Sequence, residues 1–467
     1  MKKEKVSEIR RYIFFFLFSG LFLWFIHLDP PQGLSFQGHR ALAIFFFCMS
    51  LWVFQILPLP VTGLFVLILL PAFGVVDNKA VYSLFGNEAV FFILAALILA
   101  AASSDSGLFQ RVCLLVLRYF GKSPEWLIFG VMSTGYFLSY WMPEHAVCAF
   151  MFPIVLQIVR SLRLLPGKRY AQALFLALSW GVVIGGVTTF LGGARNVLAI
   201  AMLRETTGLN ITFMEWIKAV APMTLILLLL GYRILLWFFP VDIQDISPAI
   251  VTLENDIKQM GKMRRVKEWL VALILISTVV CWVFLGHTLG LASIAIGAVV
   301  VLFLFRLVSW RIVEEYVNWG IVLIYGGAVC LGSAVSSTDA ALWLAENSIL
   351  KFIPAGFGLY AGFSLASWVI TAGVSNSVVV AMLLPVALNV ATRYHLNPLV
   401  MTLVVAVQAG LDFSLPVGTP AGAIVYSSGY VRLKDMFIAG ILFNIVAWLV
   451  GIMVMRWYWP LIGFHLG

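Results

Sequence analysis

Four short stretches hold the residues best suited to chemistry. "WMPEHAV" (141–147) sets Glu144 beside His145, and "GGARN" (192–196) carries Arg195 and Asn196. "VSNSV" (374–378) carries Ser375, Asn376 and Ser377, and "PVGTPAG" (416–422) carries Thr419 and Pro420. Each interrupts an otherwise apolar run. A carboxylate or a guanidinium placed there must find compensation, because a charge at bilayer depth costs at least about 2.5–3.5 kcal/mol unless paired or wetted. Breaks of this kind also free backbone groups, which are tolerated in hydrocarbon only where they line a cavity. Half-helix N-termini then suit an anion, and freed carbonyls suit a small cation. Enzyme chemistry is not expected: there is no HExxH, and no second His or Cys stands at ligand spacing.

The elements that must position these residues follow from composition. Of 467 residues 62% are hydrophobic and 11% charged, against roughly 45–50% apolar and about 25% charged in a soluble domain. That defines an integral membrane protein, and the net charge of +9 then belongs to membrane-flanking loops and gives no reason to expect a nucleic-acid partner. The five cysteines, Cys48, Cys113, Cys148, Cys281 and Cys330, lie singly in apolar runs and read as small fillers. No cleavage site follows the first apolar run, so it is expected to be retained as a span.

A crossing needs about 20 apolar residues. Eleven stretches qualify, at 12–28, 41–58, 60–76, 88–107, 170–191, 213–239, 268–286, 288–306, 317–337, 398–417 and 436–458. Two further regions, 124–159 and 352–392, are too long for one crossing and are broken by "MPEHAV" and "TAGVSNSVV", as expected of re-entrant helical hairpins. With the N-terminus inside and both hairpins returning to their own side, 21 of the 30 Lys and Arg fall on the cytoplasmic side and seven outside, with Arg195 and Arg233 within spans. The C-terminus then lies outside, in a bacterial-type inner membrane.

The halves echo each other. "NEAVFFILAALILAAASSDSGL" (87–108) and "VNWGIVLIYGGAVCLGSAVSSTDAAL" (317–342) each precede a hairpin and then a glycine-broken span, "GGVTTFLGGARNVLAI" (185–200) or "FSLPVGTPAGAIVYSSGY" (413–430). The two copies start on opposite sides, so they are inverted repeats, a sequence pointer to a midplane binding site. The expected division is N-terminal scaffold helices 1–76, a first repeat 77–240 and a cytoplasmic linker 241–267. Scaffold helices 268–316 and a second repeat 317–467 complete it. An amphipathic helix on the membrane surface is the sharper reading of the linker.

"SNSVVVAMLLPVA", "LDFSLPVGTPAGAIVYSSGYV" and "KDMFIAGILFNIVAWLV" resemble the divalent anion/sodium symporter (DASS) family of dicarboxylate, citrate and sulfate transporters. The resemblance covers nearly the whole chain. It implies an all-α polytopic fold of about 11 transmembrane helices and two re-entrant hairpins, arranged as scaffold and transport domains that work as an elevator in a homodimer. It also implies that Ser375, Asn376 and Ser377 bind a substrate carboxylate and frame a sodium ion. The ion would be held by Thr371, the Val374 carbonyl, Asn376 and the Gly418 carbonyl. Thr419 and Pro420 match the family's substrate-facing break, while Ala421 and Gly422 replace its usual Pro-Asn. In the first repeat the Ser-Asn-Thr motif falls on Pro143, Glu144 and His145, and Gly-Thr-Pro-Pro-Asn falls on Gly192 to Asn196, so the first motif is lost.

Three readings of the intruding charges stay open. Arg195 and Glu144 form a buried pair that replaces the first sodium and its ligands, with the guanidinium also able to fork onto an oxyanion. Alternatively Glu144, with His145, carries protons, or both line a wet cytoplasmic mouth. Asp412 reads either as a direct cation ligand or as a helix-end charge facing Arg432 or Lys434. Glu88 and Asp105 flank a small-residue span, and Arg233 is expected to snorkel. The expected function is secondary transport of small divalent anions, C4-dicarboxylates first, with one sodium site retained. Sulfate or another oxyanion, proton coupling, exchange and an uncoupled anion channel are the alternatives.

Overall fold

In lipid every backbone polar group must be satisfied within the chain, which leaves helices as the solution for this sequence. The computed structural model describes residues 2–259, 265–317, 319–347, 356–416 and 418–466. They form helices joined by short turns, with no strand among them. Nine helical stretches of the described residues are long and apolar enough to cross a membrane, and five shorter apolar helices accompany them.

The chain starts with α1 (Lys2–Ile26), α2 (Phe36–Val53) and α3 (Leu59–Ala72), then α4 (Asn78–Phe85), α5 (Glu88–Ser106) and α6 (Leu108–Phe120). Ser35, Asp77 and Asn87 cap α2, α4 and α5 with side-chain oxygens that accept early backbone N–H groups. The first hairpin is α7 (Pro124–Leu138) and α8 (Glu144–Ser161). Next come α9 (Arg169–Thr188), buried from Tyr170 to its end, and α10 (Ala194–Thr207). A capping box between Thr212 and Glu215 opens α11 (Phe213–Phe238).

The linker region is not simply extended: it contains α12 (Ser247–Gln259), with Ala249 and Leu253 buried and its body packed on α6 and α8. Arg118 meets Glu254 at 3.2 Å, and Gln157 donates to Asp256 at 3.4 Å. Then follow α13 (Arg265–Leu289), α14 (Leu291–Leu304), α15 (Trp310–Tyr316), α16 (Trp319–Ser337) and α17 (Ala340–Asn347). The second hairpin is α18 (Phe357–Thr371) and α19 (Asn376–Arg393), and the N-terminal end of the expected 352–392 region lies outside the described residues. The chain continues with α20 (Pro398–Ala409), α21 (Pro420–Ser427) and α22 (Leu433–Met453).

Two expected crossings are broken within their apolar stretches. The helix over 170–191 stops at Thr188, and that over 398–417 stops at Ala409. Each is followed by a non-helical break, 189–193 or, among the described residues, 410–416 and 418–419, and then by a second half-helix. The half-helices cross between the two halves of the chain: α10 packs on hairpin arm α19, and α21 packs on hairpin arm α8. This exchange brings the N-termini of α8, α10, α19 and α21 into one chamber, with α3 and α16, packed on each other, along its side.

Candidate functional site

The chamber is a cavity of about 510 Å³ lined by residues of both hairpin tips and both helix breaks. Glu144, His145, Arg195, Ser375, Asn376, Ser377 and Pro420 all line it. Asn196 and Thr419 stand behind its wall. Asn196 Nδ2 donates to the carbonyls of Gly186 at 3.0 Å and Thr189 at 2.7 Å, closing the break after α9. Thr419 Oγ1 accepts from Gly422 N at 3.2 Å and caps α21.

Arg195 Nη1 donates to Glu144 Oε1 and Nη2 to Oε2, both at 3.0 Å. The two residues are 2% and 3% exposed, so this is a fully buried, two-pronged ion pair. Its geometry is set by glycines. A side-chain carbon at Gly186 would overlap the Glu144 carboxylate, and one at Gly410 would overlap the Arg195 guanidinium, which therefore touches both repeats. Glu144 begins α8, where the helix dipole favours an anion, whereas Arg195 near the start of α10 is opposed by that helix and compensated by Glu144. Because both Nη atoms face Glu144, the fork expected to grip an oxyanion is already engaged. Asn376 Nδ2 adds a third donor to Glu144 Oε1 at 3.3 Å, so the first hairpin tip is tied to the second.

Sequence reasoning missed Tyr325, whose hydroxyl lies 2.8 Å from Ser377 Oγ. Its signal was faint: an aromatic before two glycines in the small-residue span 317–342. It also misjudged Asp412. The alternative of a helix-end charge facing Arg432 or Lys434 is corrected: Asp412 is 1% exposed, and its Oδ1 accepts from Ser414 N at 3.2 Å, Ser414 Oγ at 2.8 Å and Asn444 Nδ2 at 2.8 Å. Buried and without a hydrogen-bond partner are Asp412 Oδ2 and Thr371 Oγ1. The other flanking acids are paired, Glu88 with Arg204 and Asp105 with Lys267. No cluster of three or more His, Cys, Asp or Glu that could hold a metal occurs among the described residues.

Crossed half-helices, two interrupted hairpins and a polar chamber buried among apolar helices define the class: an integral membrane transporter, not an enzyme. The chain belongs to the family described as the sodium:sulfate symporter transmembrane region, whose model matches residues 9–465. It is 26% identical over 488 residues to a sodium-dependent dicarboxylate transporter, SdcS, of Staphylococcus saprophyticus, covering 98% of this chain and 93% of that one. The SdcS of Staphylococcus aureus strain USA300 is 26% identical over 493 residues, with 99% and 94% covered. Among solved structures, MtrF of Neisseria gonorrhoeae superposes with a TM-score of 0.55 at 12% identity, covering 83% of this chain and 85% of that one. The YdaH transporter of Alcanivorax borkumensis gives 0.56 at 14% identity, with 84% and 90% covered. At such identities the two structures speak to fold alone.

Proposed function

We propose that this chain is a secondary carrier of small dicarboxylates, with one cation site in the second repeat and the Glu144–Arg195 pair standing where a first sodium would be. The observation that carries this reading is the convergence of four helix N-termini on one cavity with the hydroxyl and amide groups of Ser375, Asn376 and Ser377. Unpaired N–H groups at such ends attract carboxylate oxygens. The name of the SdcS relatives favours dicarboxylates and sodium dependence.

The residues fit a sodium ion. Thr371 Oγ1 is buried without a partner, and the Thr371 carbonyl faces the Cα of Gly418 closely enough that a side-chain carbon there would come within 2.8 Å of it. Thr371, the Val374 carbonyl, Asn376 and the Gly418 carbonyl would hold the ion. A bound sodium would supply positive charge beside the substrate at the start of α19. Asn376 then has two tasks on its side chain and one on its backbone: its Nδ2 steadies Glu144, its Oδ1 accepts from Ser377 Oγ at 3.4 Å, and its N–H belongs to the start of α19.

The cavity is bordered by Leu59 and Pro60 at the start of α3 and by Gly320 and Ile321 at the start of α16. The basic-residue distribution assigns those ends to the cytoplasm, so this conformation faces inward, with the N-terminus inside and the C-terminus outside. Exchange of the site across the bilayer by elevator motion of the hairpins, in a homodimer, follows the family resemblance. Glu144 accepts from Arg195 at both oxygens, which favours a fixed charge over a proton carrier. Proteoliposome uptake of labelled succinate, citrate and sulfate, with sodium and proton gradients imposed separately, tests the reading. Sodium-driven succinate uptake that saturates is expected; sulfate-only uptake, or stepwise channel currents, would overturn it.

A further inference from the structure

We infer that Asp412 is the anionic ligand of a monovalent-cation site, a role no sequence motif assigns to it. The inference rests on the carrier reading above and adds a fixed negative charge to the oxygens already named there. Asp412 lies in the break between α20 and α21, and its two oxygens have different surroundings. Oδ1 is held by three neutral donors from Ser414 and Asn444. Oδ2 has none, although Asp412 is 1% exposed.

From the opposite side, the tip of the second hairpin presents a matching orphan. Thr371 is fully buried and its Oγ1 has no partner. A single point beside Gly418 brings the two residues together: a side-chain carbon there would overlap Asp412 Oδ2 and lie 2.8 Å from the Thr371 carbonyl oxygen. Only glycine leaves that space open. Asp412 Oδ2 and the Thr371 carbonyl oxygen, drawn together beside Gly418 with no hydrogen on either, form an arrangement that a cation satisfies, and the unpartnered Thr371 hydroxyl supplies a further oxygen on the same residue.

Charge argues the same way. Arg195 is matched by Glu144, which leaves its charge already compensated. Asp412 makes no ion pair among the described residues, and a buried carboxylate left with neutral donors on one oxygen alone is costly. One bound cation restores neutrality. A single carboxylate among neutral oxygens suits a monovalent ion, since calcium takes six to eight oxygens and commonly several carboxylates. Because the protein supplies the counter-charge, the cation binds without the anionic substrate.

The test uses the purified full-length chain in detergent with no anionic substrate, choline chloride being replaced by sodium chloride at constant ionic strength. Saturable binding of radioactive sodium and a saturable rise in unfolding temperature are expected. Asp412→Asn should raise half-saturating sodium by at least about tenfold, the lower bound for losing even an outer partner of a metal site. In choline it should unfold no earlier than the wild type, because the unpaired charge is gone. Thr371→Ala, the second variant, should shift sodium binding in the same direction. Equal half-saturating sodium in wild type and Asp412→Asn, or a wild type indifferent to sodium, overturns the assignment, and displacement of sodium by stoichiometric calcium overturns its monovalent character. Sodium-driven anion uptake with unchanged sodium dependence in Asp412→Asn would sink this assignment while leaving the carrier reading intact. Sodium binding that is lost in the variant, with no anion uptake by the wild type under any gradient, would do the reverse.

Discussion

At the scale of single residues, Glu144 and Arg195 make the site a balance of opposed charges. Removing one member of a buried pair strands the other, at about 3–5 kcal/mol, whereas removing both can be nearly neutral. Glu144→Gln and Arg195→Gln should therefore each lower the unfolding temperature of the detergent-solubilised protein, and the double variant should recover most of the loss. Transport should not recover, because the double variant leaves no fixed charge at the tips of the hairpins that Asn376 bridges. A double variant less stable than either single one would show that the pair is not an isolated charge couple. Tyr325→Phe is a milder case: it removes one hydroxyl contact to Ser377, worth about 1 kcal/mol. It should weaken apparent substrate affinity a few-fold in uptake assays, with the folded fraction unchanged.

At the scale of elements, the polar breaks were legible, and so was the pairing of Glu144 with Arg195 between two of them, but their other partners were not. "MPEHAV" and "TAGVSNSVV" announce the gaps between α7 and α8 and between α18 and α19, because each lies in the middle of an apolar region too long for one crossing. The charges of Glu144 and Arg195 were equally conspicuous. What pairing cannot reveal is contact between distant segments. Gly410 reads as a helix ender, yet its lack of a side chain makes room for the guanidinium of Arg195 from the other repeat. The Asn444 amide on α22 that fixes Asp412 carries no local signal at all. The helix α12 was half legible, since polarity hid the buried Ala249 and Leu253 that seat it on α6 and α8. Gly410→Val should displace the guanidinium and reduce uptake as severely as Arg195→Gln, while Arg118→Ala, which breaks the exposed pair with Glu254, should change stability by less than about 1 kcal/mol. Comparing unfolding and uptake for the two variants separates a helix break that shapes the site from a surface contact that only decorates it.

At the scale of the whole molecule, the two ends of the chamber differ. The cavity lies beside the starts of α3 and α16, whereas at the other end of α10 Arg204 pairs with Glu88 and Asn87 donates to Glu205, fastening α10 to α5. Helix α5 packs on α13, α14 and α15 of the expected scaffold segment 268–316, so under the elevator reading it stays with them while α10 travels with the hairpins, and these exposed contacts belong to one state and must part in the other. Being exposed, they add little stability, which is what a contact broken in every cycle requires. A cysteine pair, Glu88→Cys with Arg204→Cys, tests this, since the four native cysteines Cys48, Cys113, Cys148 and Cys330 are buried and Cys281, half-buried, can be replaced by serine. Oxidative cross-linking should abolish uptake, and reductant should restore it. In the cross-linked protein a cysteine introduced at Ser375, on the cavity wall, should react with a membrane-impermeant thiol reagent from the cytoplasmic side only. Uptake that persists in fully cross-linked protein would mean that α5 and α10 move together, and the hairpins would then have to open and close around a stationary site.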